Sequence, residues 1–458
     1  MRNRTEDTMN RFRGMIRRIS TGIVVVSLLL SGCGSNSGTS SNQQGSVVNL
    51  DPVALLASIN SSLLNPLPRS IGGWEWQRFA TAFGTILTTS TYSISLQKVS
   101  YQSTGADGTP RTLSGLLILP RSGSTRPAVP ILMFQHGTEP YRQFSPSRYL
   151  ENQLRPTDYP EVMVAAAIAS TGYAVALTDY EGLGDSTGPQ PYVHGASLAR
   201  QVVDMLRASR SIIAGSTSPC TWNNQLFLMG YSEGGYVTMA ATRELQLNHA
   251  AEFTVTASAP LSGPHDLSGV MRGVMLADTT SKAPYFLPFV LNSYNYVYSG
   301  QTTLFAPPST MLPAFASTVP PLFDGNSPSD KISEAMGMSF SPTVLIVPKS
   351  TLTSQFLGQL ADGTSQAVTF LRENDSYRGW TPSVPIRMVH HVNDELVPFA
   401  NSQVAFDSFS TAGAKRYVSL VRETITIPVS TDPVMTTHLS AAFPILFNGW
   451  QWLETFRK

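Results

Sequence analysis

Gly230-Tyr231-Ser232-Glu233-Gly234 is a G-x-S-x-G sequence set between an apolar run, Gln225-Leu226-Phe227-Leu228-Met229, and a helix-compatible run from Gly235 to Leu245. Strand, sharp turn and helix form the setting in which a serine hydroxyl is raised above a sheet as a nucleophile. The turn is so tight that the residues flanking the serine must be small. The helix that follows points its positive end at the serine, where it favours developing negative charge. A serine hydroxyl is a weak nucleophile at neutral pH, so a base must take its proton during attack and a third group must orient that base. Asp394, in His391-Val392-Asn393-Asp394-Glu395-Leu396-Val397-Pro398, and His438, in Thr436-Thr437-His438-Leu439, supply the acid and the base in the order Ser, Asp, His. His438 would act as general base and then as acid toward the leaving group. Asp394 would fix the imidazole tautomer without itself taking the proton.

Other residues compete for these roles. Glu395 and Asp432 are the fallback acids. His136, His194, His249, His265, His390 and His391 are the remaining histidines. His194 and His265 fall in loops, where structural hydrogen bonding is the default, and His249 ends a helix and reads as a solvated or capping residue. His390 and His391 sit at a strand end beside Asp394 and read as its supports. The oxyanion formed on attack needs two N–H donors. One is expected from Glu233, the residue after the nucleophile. The other is expected from Gln135-His136-Gly137-Thr138, with Gly137 permitting the bend and Thr138 N–H donating. No metal site is expected: no H-x-x-x-H or H-E-x-x-H spacing occurs, and neighbours such as His390 and His391 on a strand point to opposite faces. No cofactor is implied.

These residues need a frame to hold them. Runs near residues 96, 116, 132, 176, 227, 255, 388 and 419 read as eight strands, and Ser232 follows the fifth. Ser93–Val99 and Ser114–Leu119 form a hairpin about the turn at 104–110. Helices are expected over 159–171, 197–213, 235–245, 399–412 and 439–456. This alternation predicts an α/β fold with a mostly parallel sheet. It breaks between 270 and 380. From Ala283 to Phe323 no charged residue occurs, while Tyr285, Phe286, Phe289, Tyr294, Tyr296, Tyr298, Phe305, Phe315 and Phe323 crowd the run. A stretch this long must form its own elements, and it reads as a cap inserted over the active site.

The 458 residues carry a net charge of +1 with no basic block beyond the N-terminus, which argues against a nucleic-acid partner. Arg2, Arg4, Arg11, Arg13, Arg17 and Arg18 precede the apolar run Ile23–Leu30, which is too short for a comfortable membrane span and reads as an export signal. Met9 and Met15 are alternative starts within this long basic region. Leu30-Ser31-Gly32-Cys33 resembles a bacterial lipobox, which implies cleavage before Cys33 and lipid attachment to it. Gly34, rather than an acidic residue, follows the cysteine, and by the same resemblance the outer membrane or cell surface is the destination. The domains are therefore read as 1–32 signal peptide, 33–50 lipidated cysteine and flexible tether, 51–269 core, 270–380 cap and 381–458 core. Within 52–91, Trp74 and Trp76 read as packing residues. Cys220 has no disulfide partner once Cys33 is lipidated and reads as structural.

The segments Phe134-Gln135-His136-Gly137-Thr138, Asp179–Ser186, Gly230–Gly235 and Ala257–Pro264 resemble those of bacterial secreted lipase-like α/β-hydrolases, relatives of the fungal secretory lipases. The resemblance runs from about residue 90 to the C-terminus. It implies an α/β-hydrolase fold, and it makes the Gly182–Gly188 stretch a structural loop near the pocket rather than a nucleotide loop. The expected reaction is hydrolysis of a carboxylic ester through an acyl-enzyme on Ser232. The uncharged cap favours lipid-like substrates. An aminopeptidase-like acyl hydrolase would want acidic residues in the cap, where Asp330 and Glu334 are the candidates. A lipid- or protein-binding surface lipoprotein on a degenerate hydrolase scaffold would lack a complete triad.

Overall fold

The computed structural model describes residues 44–50, 90, 92–152, 158–427 and 435–458. The export signal, Cys33, the segment with Trp74 and Trp76, and Asp432 lie outside the described residues.

All eight expected strands form: β2 Ser93–Thr104, β3 Pro110–Arg121, β4 Ala128–Gln135, β5 Ala174–Thr178, β6 Thr221–Tyr231, β7 Val255–Leu261, β10 Ile386–His391 and β11 Val418–Glu423. A ninth, β1 Gln44–Leu50, joins them at the edge. It pairs antiparallel with β2 from Gln44 opposite Val99 to Leu50 opposite Ile94. The stretch expected as tether up to residue 50 therefore becomes strand from Gln44. The sheet order is β1-β2-β3-β5-β4-β6-β7-β10-β11. Strands β5, β4, β6, β7, β10 and β11 run parallel to one another, while β1, β2 and β3 form an antiparallel flank that joins them where β3 pairs antiparallel with β5. This is the α/β-hydrolase fold. The short ribbon β8 Ser339–Phe340 and β9 Thr343–Val344 stands apart, inside the 270–380 insertion.

The central strands are continuous apolar runs because both their faces are covered. Every residue of β5 is buried. On one face lie α2 Gly195–Ala214 and α3 Glu233–Asn248, packed with the insertion. On the other lie α1 Pro160–Ser170 and the C-terminal helix, Thr437–Glu454, whose Ile445, Leu446, Trp450 and Leu453 meet Phe227, Met229 and Leu261 of the sheet. Helix α1 is buried along Val162–Ser170, which accounts for the apolar run Val162–Ala169.

The insertion contributes three helices of eight or more residues: α4 Phe286–Tyr298, α5 Ser354–Ala361 and α6 Gln366–Glu373. The α/β pattern then resumes, with α7 Ala400–Thr411 between β10 and β11 and α8 Thr437–Glu454 at the end. Cys220 is buried just before β6, and burial pushes its thiol up to about 11, as suits an inert structural residue.

Candidate active site

Ser232 sits between the end of β6 and the start of α3 with φ 61 and ψ −124. A non-glycine residue there is strained, and the surroundings leave it no alternative. A Cβ on Gly230 would come within 2.4 Å of Gly234 O, and one on Gly234 within 2.0 Å of Gln135 O. The two glycines let β4, β6 and α3 approach closely enough to force the turn. Ser232 N–H donates to Leu261 O at 3.0 Å, tying the elbow to β7.

The loop after β10 and the first turn of α8 bring Asp394 and His438 to this serine. His438 Nε2 lies 2.8 Å from Ser232 Oγ, and Nδ1 lies 2.5 Å from Asp394 Oδ2. A carboxylate only accepts, so Nδ1 carries the hydrogen and Nε2 offers its lone pair to the serine hydroxyl. Asp394 Oδ1 accepts from Leu396 N–H at 3.1 Å and Val397 N–H at 2.8 Å. Burial pushes the Asp394 carboxyl up. Electrostatic attraction to His438 and the hydrogen bonds from His390 and His438 outweigh it and hold it well below the usual carboxylate range. An ionised, oriented acid, an imidazole in the right tautomer and a hydroxyl in line with it can together transfer a proton and attack a carbonyl.

The competing residues take other places. His390 Nε2–H donates to Val397 O at 2.7 Å and lies 3.3 Å from Asp394 Oδ2, while Ser402 Oγ sits 2.8 Å from its Nδ1. It therefore supports the acid, whereas His391 donates instead to Ile425 O at 2.9 Å. His136 stacks on Tyr180 at 4.2 Å, and burial lowers it to about 4. His265 is buried against Ser376 and lowered to about 3, first by burial and then by the neighbouring His390. His194 meets Ser197, and His249 meets Glu244 and Arg207. Among the described residues no cluster of His, Cys, Asp and Glu could hold a metal ion.

The loop after β4 departs from expectation at Gly137. Its backbone is not left-handed, and a Cβ there would meet only ordinary contacts, the nearest at 3.6 Å, so conformational freedom does not explain it. Its N–H donates to both carboxylate oxygens of Glu161, at 3.0 and 3.1 Å, and so is not turned to a substrate. Glu161, in the first turn of α1, gave no signal in the sequence because it lies 24 residues from the loop it holds. Burial raises it to about 7, and burial with the neighbouring Glu161 charge raises Glu139 to about 8. The Glu233 carboxyl is also buried and pushed well up, by burial first and then by the Glu161 charge.

A cavity of about 420 Å³ opens at Ser232. Its walls combine Tyr192 and Val193 before α2, Leu267 and Met271 of a π turn at Leu267–Met271, and Met275, Phe286, Leu287 and Val290 of the insertion. Of the aromatic residues singled out between 283 and 323, Phe286 lines this cavity. Phe289, Tyr294, Tyr298, Phe305 and Phe323 instead form a buried cluster, with Phe289 stacked on Tyr192 at 4.2 Å and on Phe323 at 4.8 Å. Aliphatic and methionine side chains thus do most of the lining.

Residues 153–298 match the secretory lipase family. That segment holds α1, β5, β6 with Ser232, β7 and α4. The fold is similar to that of the rice cell wall degrading esterase LipA from Xanthomonas oryzae, with a TM-score of 0.73, 24% identity, and coverage of 91% of this chain and 98% of that one. A putative hydrolase from Legionella pneumophila aligns at a TM-score of 0.70 and 21% identity, over 90% of this chain and 98% of that one. Candida antarctica lipase A aligns at a TM-score of 0.53 and 16% identity, over 74% of each chain. A search of curated proteins returns no match.

Proposed function

We propose that this chain is a carboxylic ester hydrolase in which Ser232 attacks the ester carbonyl, His438 carries the proton and Asp394 orients His438. The observation that carries the reading is the continuous hydrogen-bonded line Asp394–His438–Ser232, at 2.5 and 2.8 Å, beneath a strained elbow at φ 61. The secretory lipase match over 153–298 supports the ester-hydrolase class.

Attack moves the Ser232 proton to His438 Nε2 and builds negative charge on the carbonyl oxygen. Glu233 N–H, at the first position of α3 where no intrahelical acceptor exists, and Thr138 N–H are the donors to that oxygen. His438 then returns the proton to the departing alcohol. Water, deprotonated by the same imidazole, releases the acyl group from Ser232. The 270–380 insertion acts as the cap. Its Met275, Phe286, Leu287 and Val290, with Leu267 and Met271 before them, take an apolar acyl chain, which makes lipid-like esters the substrate class.

An amine-holding role is disfavoured by the same walls. Their two acidic residues are Glu233, whose carboxyl burial and neighbouring carboxylates push well up, and Glu395, whose oxygens are taken by backbone N–H groups. The protein is exported and anchored through lipid on Cys33, with the outer membrane or cell surface as its site.

Ser232→Ala should reduce release of p-nitrophenol from acyl esters by at least about 10⁴-fold. A variant at the wild-type rate would end the serine-hydrolase reading. Acetyl, octanoyl and palmitoyl esters compared in the same assay test the cap, and a strict preference for acetyl would overturn the lipid-like substrate.

A further inference from the structure

His438 must be placed twice, once at its ring and once at its backbone. Asp394 serves the ring. The backbone belongs to the first turn of α8, where three N–H groups have no partner within the helix. Thr436 Oγ1 accepts from Leu439 N–H at 3.0 Å. The other two N–H groups point to the residue next to the acid: Glu395 Oε1 accepts from Thr437 N–H at 2.8 Å, and Glu395 Oε2 accepts from His438 N–H at 3.4 Å. Adjacent carboxylates on one loop therefore grip the same histidine, one through its imidazole and one through its main chain.

We propose that Glu395 is a positioning residue for ester hydrolysis, clamping the first turn of α8 so that His438 Nε2 meets Ser232 Oγ. The proposal rests on the serine-hydrolase reading above. Three further observations support it. Tyr231 OH donates to His438 O at 2.6 Å, and Lys282 Nζ donates to Met435 O at 2.6 Å, so the same turn is also held from the elbow and from the cap. Glu395 ties it to the acid loop, which makes the spacing between Asp394 and His438 independent of the route the chain takes between β11 and α8. Glu395 is an exposed residue that borders the cavity, yet its oxygens are turned to the helix end. A carboxylate there also answers the partial positive charge of the helix N-terminus.

A misplacement of the base of around 1 Å costs on the order of 100-fold in rate. Glu395→Ala should therefore lower kcat for p-nitrophenyl butyrate by about 10- to 100-fold and leave KM within about twofold. Inactivation by diethyl p-nitrophenyl phosphate should slow in parallel, because phosphylation of Ser232 uses the same base without filling the acyl cavity. Glu395→Gln keeps an oxygen for Thr437 N–H and should recover most of the lost rate.

Three results would overturn the clamp. One is wild-type kcat in Glu395→Ala. The second is a loss confined to KM, which would make Glu395 a substrate contact. The third is equal loss in the Ala and Gln variants, which would make the charge and not the hydrogen bond the essential feature. Ser232→Ala run alongside separates the two levels. If it retains activity, the hydrolase reading falls and the clamp with it. If it is inactive while Glu395→Ala is not, the clamp alone falls.

Discussion

Several polar side chains around Ser232 hold backbone groups in place, among them Tyr231, Glu395 and Glu161. Glu161 is the most consequential of those that do not face the substrate. Its carboxyl, raised by burial to about 7, holds Gly137 N–H and with it the loop that carries Thr138. A carboxyl raised on folding binds its proton more tightly in the native state. Its stabilising contribution is full below the unfolded value of 4.5 and is lost as pH rises through the folded value of about 7. Asp394 runs the other way: its contribution is present above its unfolded value and fades as pH falls. Glu161→Gln keeps an acceptor for Gly137 N–H but cannot ionise. At pH 5 it should melt with the wild type. At pH 8 it should be more stable by on the order of 1 kcal/mol, a modest figure because the side chain keeps partial contact with solvent. Thermal melts at the two pH values test this, and an equal loss of stability at both would refute it.

The elements explain how the 270–380 insertion is fastened to the core. Helix α4 is fastened along its length. Ser293 Oγ donates to Tyr192 O at 2.9 Å, Tyr296 OH donates to the buried Glu181 at 2.6 Å, and Tyr298 OH accepts from Asn374 at 2.8 Å. Its aromatic residues are packing residues first, and Phe289 sits between Tyr192 and Phe323. Phe289→Ala should cost about 3–5 kcal/mol, read from the urea midpoint, because a buried ring leaves a cavity its stacked neighbours cannot close. A loss below about 1 kcal/mol would mean the cap does not depend on this cluster. Tyr192 also lines the substrate cavity, so the same change should weaken use of long acyl esters more than short ones.

The whole molecule combines this sheet and cap with an N-terminal region that lies outside the described residues. Among the described residues no helix is long and apolar enough to cross a membrane. The proposed membrane attachment therefore rests on Leu30-Ser31-Gly32-Cys33. Cys33→Ser should move the protein from the membrane pellet to the soluble fraction with esterase activity kept, since Cys33 is remote in sequence from Ser232, Asp394 and His438. Unchanged pelleting would refute the anchor.

Much of this protein was legible in the order of its residues. The elbow glycines, the apolar strand runs and the chain order Ser232, Asp394, His438 are local or topological signals, because steric crowding and burial act on short stretches of sequence. Strand β1 was less legible, since an edge strand of mixed polarity resembles a tether until β2 is there to pair with it. The destination of each aromatic in the insertion was not legible either, because burial in a cluster and exposure to a cavity demand the same apolar side chain. Only the tertiary structure decided that Glu161 holds Gly137, that His390 rather than His391 supports Asp394, and that Glu395 grips the helix bearing His438. Those are hydrogen bonds between groups distant in sequence or offset by one residue on a strand, and directional contacts of that kind exist only once the backbone has been placed.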